Sequence, residues 1–319
     1  MPHAADVPEF SFSTFIVQFR ARTRVLLPTN SGSTFHGAFG NAFHRIECSR
    51  PDHDCPACYL RDECLYYRYF SRTDQGKKQP VRPYIIEAPP GAEDGFQPGE
   101  RLSFLFTLVG ESLQHLLRFF PVFEAMGQQG MGKGRQSGLG RCDLEAVYNL
   151  NDEAAVPVYP RSNDHPWPPV PVKRHWSEFV QQTDEPVDKI GIQFLTPARI
   201  QHRGKLIDNI PFHILVARLL NRISDLDREY CGGVLNIPIR MLVDLAEREV
   251  AIAENRTAWR DWERYSARQK SRMKFGGVIG EIIYRGNLGP FIPYLLLGEY
   301  VHVGKQATFG NGVVKMNFL

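Results

Sequence analysis

No part of the 319-residue chain approaches the run of roughly 20 apolar residues that a membrane-spanning helix requires. The first ten residues, Met1 to Phe10, carry acids and prolines and lack the apolar core of a secretory leader. Both absences lead to the expectation of a cytoplasmic protein. Cysteine is scarce, with six in the chain. In a reducing compartment these read as thiols or metal ligands rather than as disulfides. The G-x-S-x-G, H-E-x-x-H and dinucleotide-binding fingerprints are missing, so hydrolases of those classes and dehydrogenases have no residue-level support. A large excess of one charge is missing too. The formal net charge is +3, too mild to mark a nucleic-acid binder unless the positions of the charges argue for it.

What is present suffices for two globular cores. Hydrophobic residues make up 43%, charged residues 23% and aromatics 12%, a globular rather than a disordered balance. The length suits two domains of roughly 150 residues each.

An internal repeat organises them. Residues 132–140 read GKGRQSGLG and residues 304–312 read GKQATFGNG. Both fit G-K-x4-G-x-G, pairing Gly132, Lys133, Gly138 and Gly140 with Gly304, Lys305, Gly310 and Gly312. Each loop follows a candidate helix: Glu111 to Ala125 before the first, and Leu288 to Glu299 before the second, with Pro290 and Pro293 in the opening turn. Each helix follows a strand-like run, Arg101 to Leu108 or Phe275 to Tyr284. Each loop leads into another, Arg141 to Tyr148 or Val313 to Phe318. A doubled β-α-β unit predicts an α+β fold of tandem ferredoxin-like (RRM-like) domains. The expected division is 1–150 and 187–319, with 151–186, which holds seven prolines, as a linker. A hairpin would also use glycines. Duplication with the lysine in register favours phosphate contact, since glycine lets backbone N–H groups approach an anion and the lysine adds charge. Lys133, Arg135 and Lys305 are the loop cations. Neither loop is a Walker A motif, whose lysine follows the second glycine.

Two basic runs alternate with period two. Arg20, Arg22 and Arg24 lie in FIVQFRARTRVLL; Arg268, Lys270, Arg272 and Lys274 lie in RYSARQKSRMKF. If each run is one strand, each set points to one face, and a polyanion along it would relieve the repulsion. Tyr265 and Phe275 flank the second run; either could stack on a base, and Phe275 could equally be core.

Cys48, Cys55, Cys58 and Cys64 form C-x6-C-x2-C-x5-C within seventeen residues. The central pair places two thiolates in one turn, as a tetrahedral metal needs, so a structural zinc site is expected, with an iron–sulfur cluster as the alternative. His53 is the substitute ligand. Cys142 and Cys231 stand alone and read as buried thiols.

Taken together, these residues resemble the RAMP superfamily, specifically the CRISPR-associated endoribonucleases that process precursor crRNA. The resemblance covers almost the whole chain. It rests on STFHGAFGNAFHRI at 33–46 with the cysteine segment behind it, the first glycine loop, FLTPARIQHRGKL at 194–206, and LLLGEYVHVGKQATFGNGVV at 295–314. The resemblance implies CRISPR repeat RNA as substrate and other CRISPR effector subunits as further partners. It also implies metal-independent cleavage, in which the 2′-OH attacks the adjacent phosphate to leave a 2′,3′-cyclic phosphate and a 5′-OH. Such chemistry needs a base, an acid and a cation for the charged transition state. The family carries its catalytic histidine in or just after the first helix, which points to His36 or His44, with His44 preferred because it lies nearer the helix end. The two sit about 80° apart around the helix. Arg22 or Lys305 would stabilise the phosphate. A catalytically silent subunit that binds crRNA would share the loops and basic strands, and a zinc-stabilised interaction protein would show no RNA affinity.

Overall fold

The computed structural model describes residues 9–50, 54–72, 80–89, 94–150, 154–160, 169–180, 186–261, 263–266 and 271–319. In chain order the elements begin with β1 (Ser11–Ala21), α1 (Gly32–Glu47), β2 (Tyr84–Glu87), β3 (Arg101–Val109), α2 (Leu116–Gln129), β4 (Cys142–Leu150) and β5 (Ala155–Tyr159). Next come β6 (Arg174–His175), α3 (Trp176–Val180), β7 (Lys189–Ala198), β8 (Gln201–His202), β9 (Lys205–Leu206), α4 (Phe212–Tyr230) and α5 (Ile239–Glu249). The chain closes with β10 (Val250–Arg260), β11 (Glu263–Ser266), β12 (Ser271–Lys274), β13 (Gly277–Gly286), α6 (Ile292–Val301) and β14 (Val314–Phe318). No helix among the described residues is long and apolar enough to cross a membrane.

The chain divides into two compact units, residues 11–174 and residues 1–10 with 175–319. In the first, the sheet order is β2-β3-β1-β4-β5, with every neighbouring pair antiparallel. The β-α-β-β-α-β succession with β1 beside both β3 and β4 is the ferredoxin-like arrangement. Its core is aromatic. Phe39 and Phe43 of α1 meet Phe119 and Phe123 of α2 and Phe106 of β3, all fully buried. Rings recur at i and i+4 on both helices (39/43 and 119/123), so each presents one apolar stripe to the sheet.

The second unit repeats the plan with sheet order β10-β13-β7-β14, again antiparallel. Leu215, Leu219, Ile223 and Leu226 form the buried stripe of α4, and α6 packs beside it. The Tyr284 hydroxyl of β13 donates to the Ile210 carbonyl at 2.8 Å, which satisfies a buried polar group where α4 begins. The α+β fold of tandem ferredoxin-like units is therefore present.

Three local expectations take a different form. The proline-rich stretch 151–186 contributes β5, paired to β4 from Leu150↔Ala155 to Val147↔Tyr159, and also β6 and α3. Proline tolerates a sheet edge, where its missing N–H faces away from the ladder, and β5 is such an edge. The first basic run leaves the strand early: β1 ends at Ala21, so Arg22 and Arg24 lie beyond it. The second run is two strands rather than one. β11 and β12 pair antiparallel with Ser266 opposite Ser271, so the chain turns back within the run. Arg272 and Lys274 fall in β12, and Arg268 and Lys270 lie outside the described residues.

Candidate functional site

The glycine loops match in backbone as well as in sequence. In the first, Gly132, Gly134, Gly138 and Gly140 have φ of +90°, +76°, +81° and +77°. In the second, Gly304, Gln306, Gly310 and Gly312 have +88°, +65°, +75° and +69°. Each loop encloses one 3-10 turn, Arg135–Ser137 or Ala307–Phe309. Each closes on an equivalent bond, Met131 N–H to the Gly140 carbonyl at 2.8 Å and Val303 N–H to the Gly312 carbonyl at 3.0 Å. The lysine N–H groups are equivalent too: Lys133 donates to Leu26 at 2.8 Å and Lys305 to Arg199 at 3.0 Å.

The glycines first serve this backbone packing. A Cβ at Gly140 would collide with the Met131 carbonyl, and one at Gly312 with the Val303 carbonyl. Several loop N–H groups are thus engaged by carbonyls, and what the loops present outward is charge. Lys133, Arg135 and Lys305 are exposed, and among the described residues neither lysine pairs with a carboxylate.

Arg20 and Arg22 of the first basic run are not bare cations, because β4 supplies acids opposite them. Arg20 pairs with Glu145, Arg22 Nε lies 2.7 Å from Asp143, and Arg101 Nε lies 2.7 Å from Glu145. Hydrogen bonds from Arg101, then from Arg20, hold the Glu145 carboxyl down at about 2. Sequence reading missed Asp143 and Glu145, whose only signal was their place in an adjacent strand. Arg24 is exposed just past the strand, and its carbonyl accepts from Gly140 N–H at 3.0 Å, tying this segment to the first glycine loop.

The structure separates the two histidines of α1. His36, Gly40 and His44 follow one another at four-residue spacing, and the turn Tyr67–Ser71 lies against that stripe. Phe70 stacks on His36 at 4.9 Å and occupies the space that a side chain at Gly40 would need. The His36 ring is 7% exposed, and its Nε2 lies 3.0 Å from the Tyr84 hydroxyl. That is the environment of a satisfied core histidine. His44 is half-buried, edge-on to Tyr66 with ring centres 4.7 Å apart, near the open end of the helix. Tyr66 and Phe70, which hold these rings, were not anticipated from the sequence.

His302 is fully buried beyond α6, with φ of +60°. Phe275 is buried and stacks on Phe309 at 6.2 Å, a core position. Lys305 belongs to the second unit, and Arg22, His36 and His44 to the first.

Cys48, Cys55, Cys58 and Cys64 are half-buried thiols. Burial pushes the Cys55 thiol up, a hydrogen bond with Ser71 acts the other way, and Cys48, Cys64 and Cys58 add smaller upward contributions. Cys48 Sγ donates to the Arg50 carbonyl at 3.0 Å, and Cys64 Sγ accepts from Tyr67 N–H at 3.5 Å. Among the described residues no three His, Cys, Asp or Glu side chains are placed to hold a metal ion. His53 lies outside those residues. The zinc and iron–sulfur expectations thus receive no support from the geometry. Cys142 and Cys231 are buried thiols, and burial pushes Cys142 up to about 12.

Comparison with known proteins adds to this geometry. Residues 10–170 match the AF_1859_N family, described as an N-terminal domain. Residues 192–314 match the family described as CRISPR-associated endoribonuclease Cas6. An uncharacterized protein of Archaeoglobus fulgidus is 24% identical over 96% of this chain and 99% of its own length. A product complex of a Thermus thermophilus Cas6 covers 98% of this chain and all of its own, with TM-score 0.57 and 14% identity. A partial complex of Cas6-RT-Cas1 with Cas2 covers 98% of this chain and 46% of its own, with TM-score 0.59 and 12% identity. At these identities the structural likeness is one of fold.

Proposed function

We propose that this chain, which belongs to the AF_1859_N family through residues 10–170 and matches the Cas6 endoribonuclease family over residues 192–314, is a CRISPR RNA-processing endoribonuclease that cuts its repeat RNA without a metal ion, with His44 as the catalytic imidazole. The carrying observation is the contrast on α1: His36 is buried against Phe70 and Tyr84, and His44 is half-exposed at the helix end. A general base has to reach the proton it removes, and a buried ring already bonded to a phenol does not. The existence of a Thermus thermophilus Cas6 product complex supports CRISPR RNA as the ligand, and the Cas6-RT-Cas1 complex with Cas2 supports association with other CRISPR proteins.

In this reading His44 takes the proton from the ribose 2′-OH, and the oxygen attacks the neighbouring phosphorus. The P–O5′ bond breaks, a proton goes to the departing 5′-oxygen, and a 2′,3′-cyclic phosphate and a 5′-OH result. An imidazole suits this because its ordinary pKa lies near neutrality. Lys305 and Arg22 are the candidate cations for the charged phosphorane. Lys133, Arg135, Arg24, Arg272 and Lys274 are proposed to hold the backbone, and Arg20 does so only by exchanging Glu145 for phosphate.

The test is cleavage of the cognate repeat RNA in excess EDTA by wild type, His44→Ala and His36→Ala, with the product ends identified and the cut position mapped. Wild type is expected to leave a cyclic phosphate. His44→Ala should be slower by about 100-fold or more, and His36→Ala should chiefly lower the melting temperature. A wild-type protein that binds RNA but leaves it intact in EDTA removes the metal-independent reading. A His44→Ala variant with wild-type rate removes His44 as the base.

A further inference from the structure

Beside the cysteine segment is a cavity of about 440 Å³ whose described walls are Arg61, Asp62, Tyr67, Arg68 and Arg72. Three guanidiniums and one carboxylate around a space of this size make a cationic recess, and no role assigned so far uses it. The volume falls in the range of pockets for small ligands, large enough for one nucleotide unit.

The local backbone builds the recess. From Tyr67 to Ser71 the chain makes a π turn in which Arg72 N–H donates to the Tyr67 carbonyl at 2.7 Å, one residue further than an α-helical bond. Such a widened turn shifts the following side chain around the axis, and π turns are frequent at functional sites. Here it brings Arg72 into the same cavity wall as Tyr67 and Arg68.

Two of the arginines, Arg61 and Arg68, are held by bonds that use only part of their donor capacity. Arg61 donates from Nη1 to the Pro56 carbonyl at 3.0 Å, and its Nε lies 3.5 Å from Asp62. Arg68 pairs with Glu111 through Nη2, and its guanidinium lies 5.8 Å from the centre of the Tyr69 ring. A guanidinium has five N–H donors, so one or two such bonds orient the fork and leave donors for a ligand.

The recess is joined through the chain to the residue that packs on the proposed catalytic histidine. Tyr67 follows Tyr66, whose ring is 4.7 Å from that of His44. We propose that this arginine recess binds a backbone phosphodiester of the repeat RNA outside the scissile position, with Tyr67 lining the space beside it. Planar, oriented guanidiniums recognise phosphate oxygens in pairs. The inference rests on the RNA-processing reading of the same chain and adds a second anchoring point, on the insertion between α1 and β2.

The experiment measures equilibrium binding of repeat RNA carrying a 2′-deoxy sugar at the mapped cleavage position, across a salt series. It compares wild type, Arg61→Gln/Arg72→Gln and Asp62→Asn, with melting temperatures recorded alongside. The double variant is expected to bind about 10-fold more weakly at moderate salt, with a log–log salt slope shallower by about 0.7, the loss of one single-strand phosphate contact. Asp62→Asn removes the negative wall and is expected to bind about twofold more tightly at low salt, a gain that a merely structural role would not produce. If wild type binds and cuts RNA but both variants keep its affinity and slope, the recess proposal falls and the processing function stands. If wild type does not bind repeat RNA, both fall together.

Discussion

On the Glu145 carboxylate two guanidiniums and the Gln18 amide converge, from Arg20, Arg101 and a side chain 3.0 Å away. These bonds draw its pKa from the ordinary 4.5 to about 2. The folded value is the lower one, so the ionised group stabilises the fold above the ordinary carboxylate value, and that contribution is lost as pH falls from 4.5 towards 2. Wild type is therefore expected to lose melting temperature through that window, and Glu145→Gln should flatten that part of the profile. The same substitution leaves Arg20 and Arg101 without their acid, so RNA affinity at low salt should rise. An unchanged acid profile together with unchanged affinity would count against Glu145 as the neutralising partner. Arg20 was legible in the sequence as a strand cation. That Glu145 faces it was not, because the partner lies 125 residues away.

At the scale of elements, the two glycine loops carry the clearest sequence signal, and the reason for their composition is visible only in three dimensions. Gly140 and Gly312 have φ of +77° and +69°, and each packs its α-carbon against a carbonyl on the opposite limb of its loop. Alanine at either position meets both the left-handed backbone penalty, about 1–2 kcal/mol, and a collision. At Gly138 the φ is +81°, and the space around a Cβ is open. Gly140→Ala and Gly312→Ala are each expected to cost clearly more than Gly138→Ala, whose cost should stay near that backbone penalty alone. Denaturant titration of the three variants checks the order; equal costs would mean the loop opens to admit the methyl. Helix α1 teaches a related lesson. The 3.6-residue repeat places His36 and His44 on one broad face, but the turn Tyr67–Ser71 covers the first and leaves the second half-exposed.

For the whole molecule, each of the two units completes its own antiparallel sheet and buries its own helices. We therefore expect residues 11–174, produced alone, to unfold in one cooperative transition in denaturant, and a gradual, non-cooperative loss of structure would contradict that division. The sequence by itself determined the doubled strand–helix–loop–strand plan with its paired glycine loops. That plan follows from local rules: strand and helix periodicity and an internal repeat. Only the tertiary structure decided that β4 acids pair with Arg20 and Arg22 and that His36 is sealed by Phe70 and Tyr84. It also brought three arginines around one recess. Each of those outcomes depends on which distant side chain arrives opposite a given residue, and strand order and packing settle that, whereas sequence spacing does not.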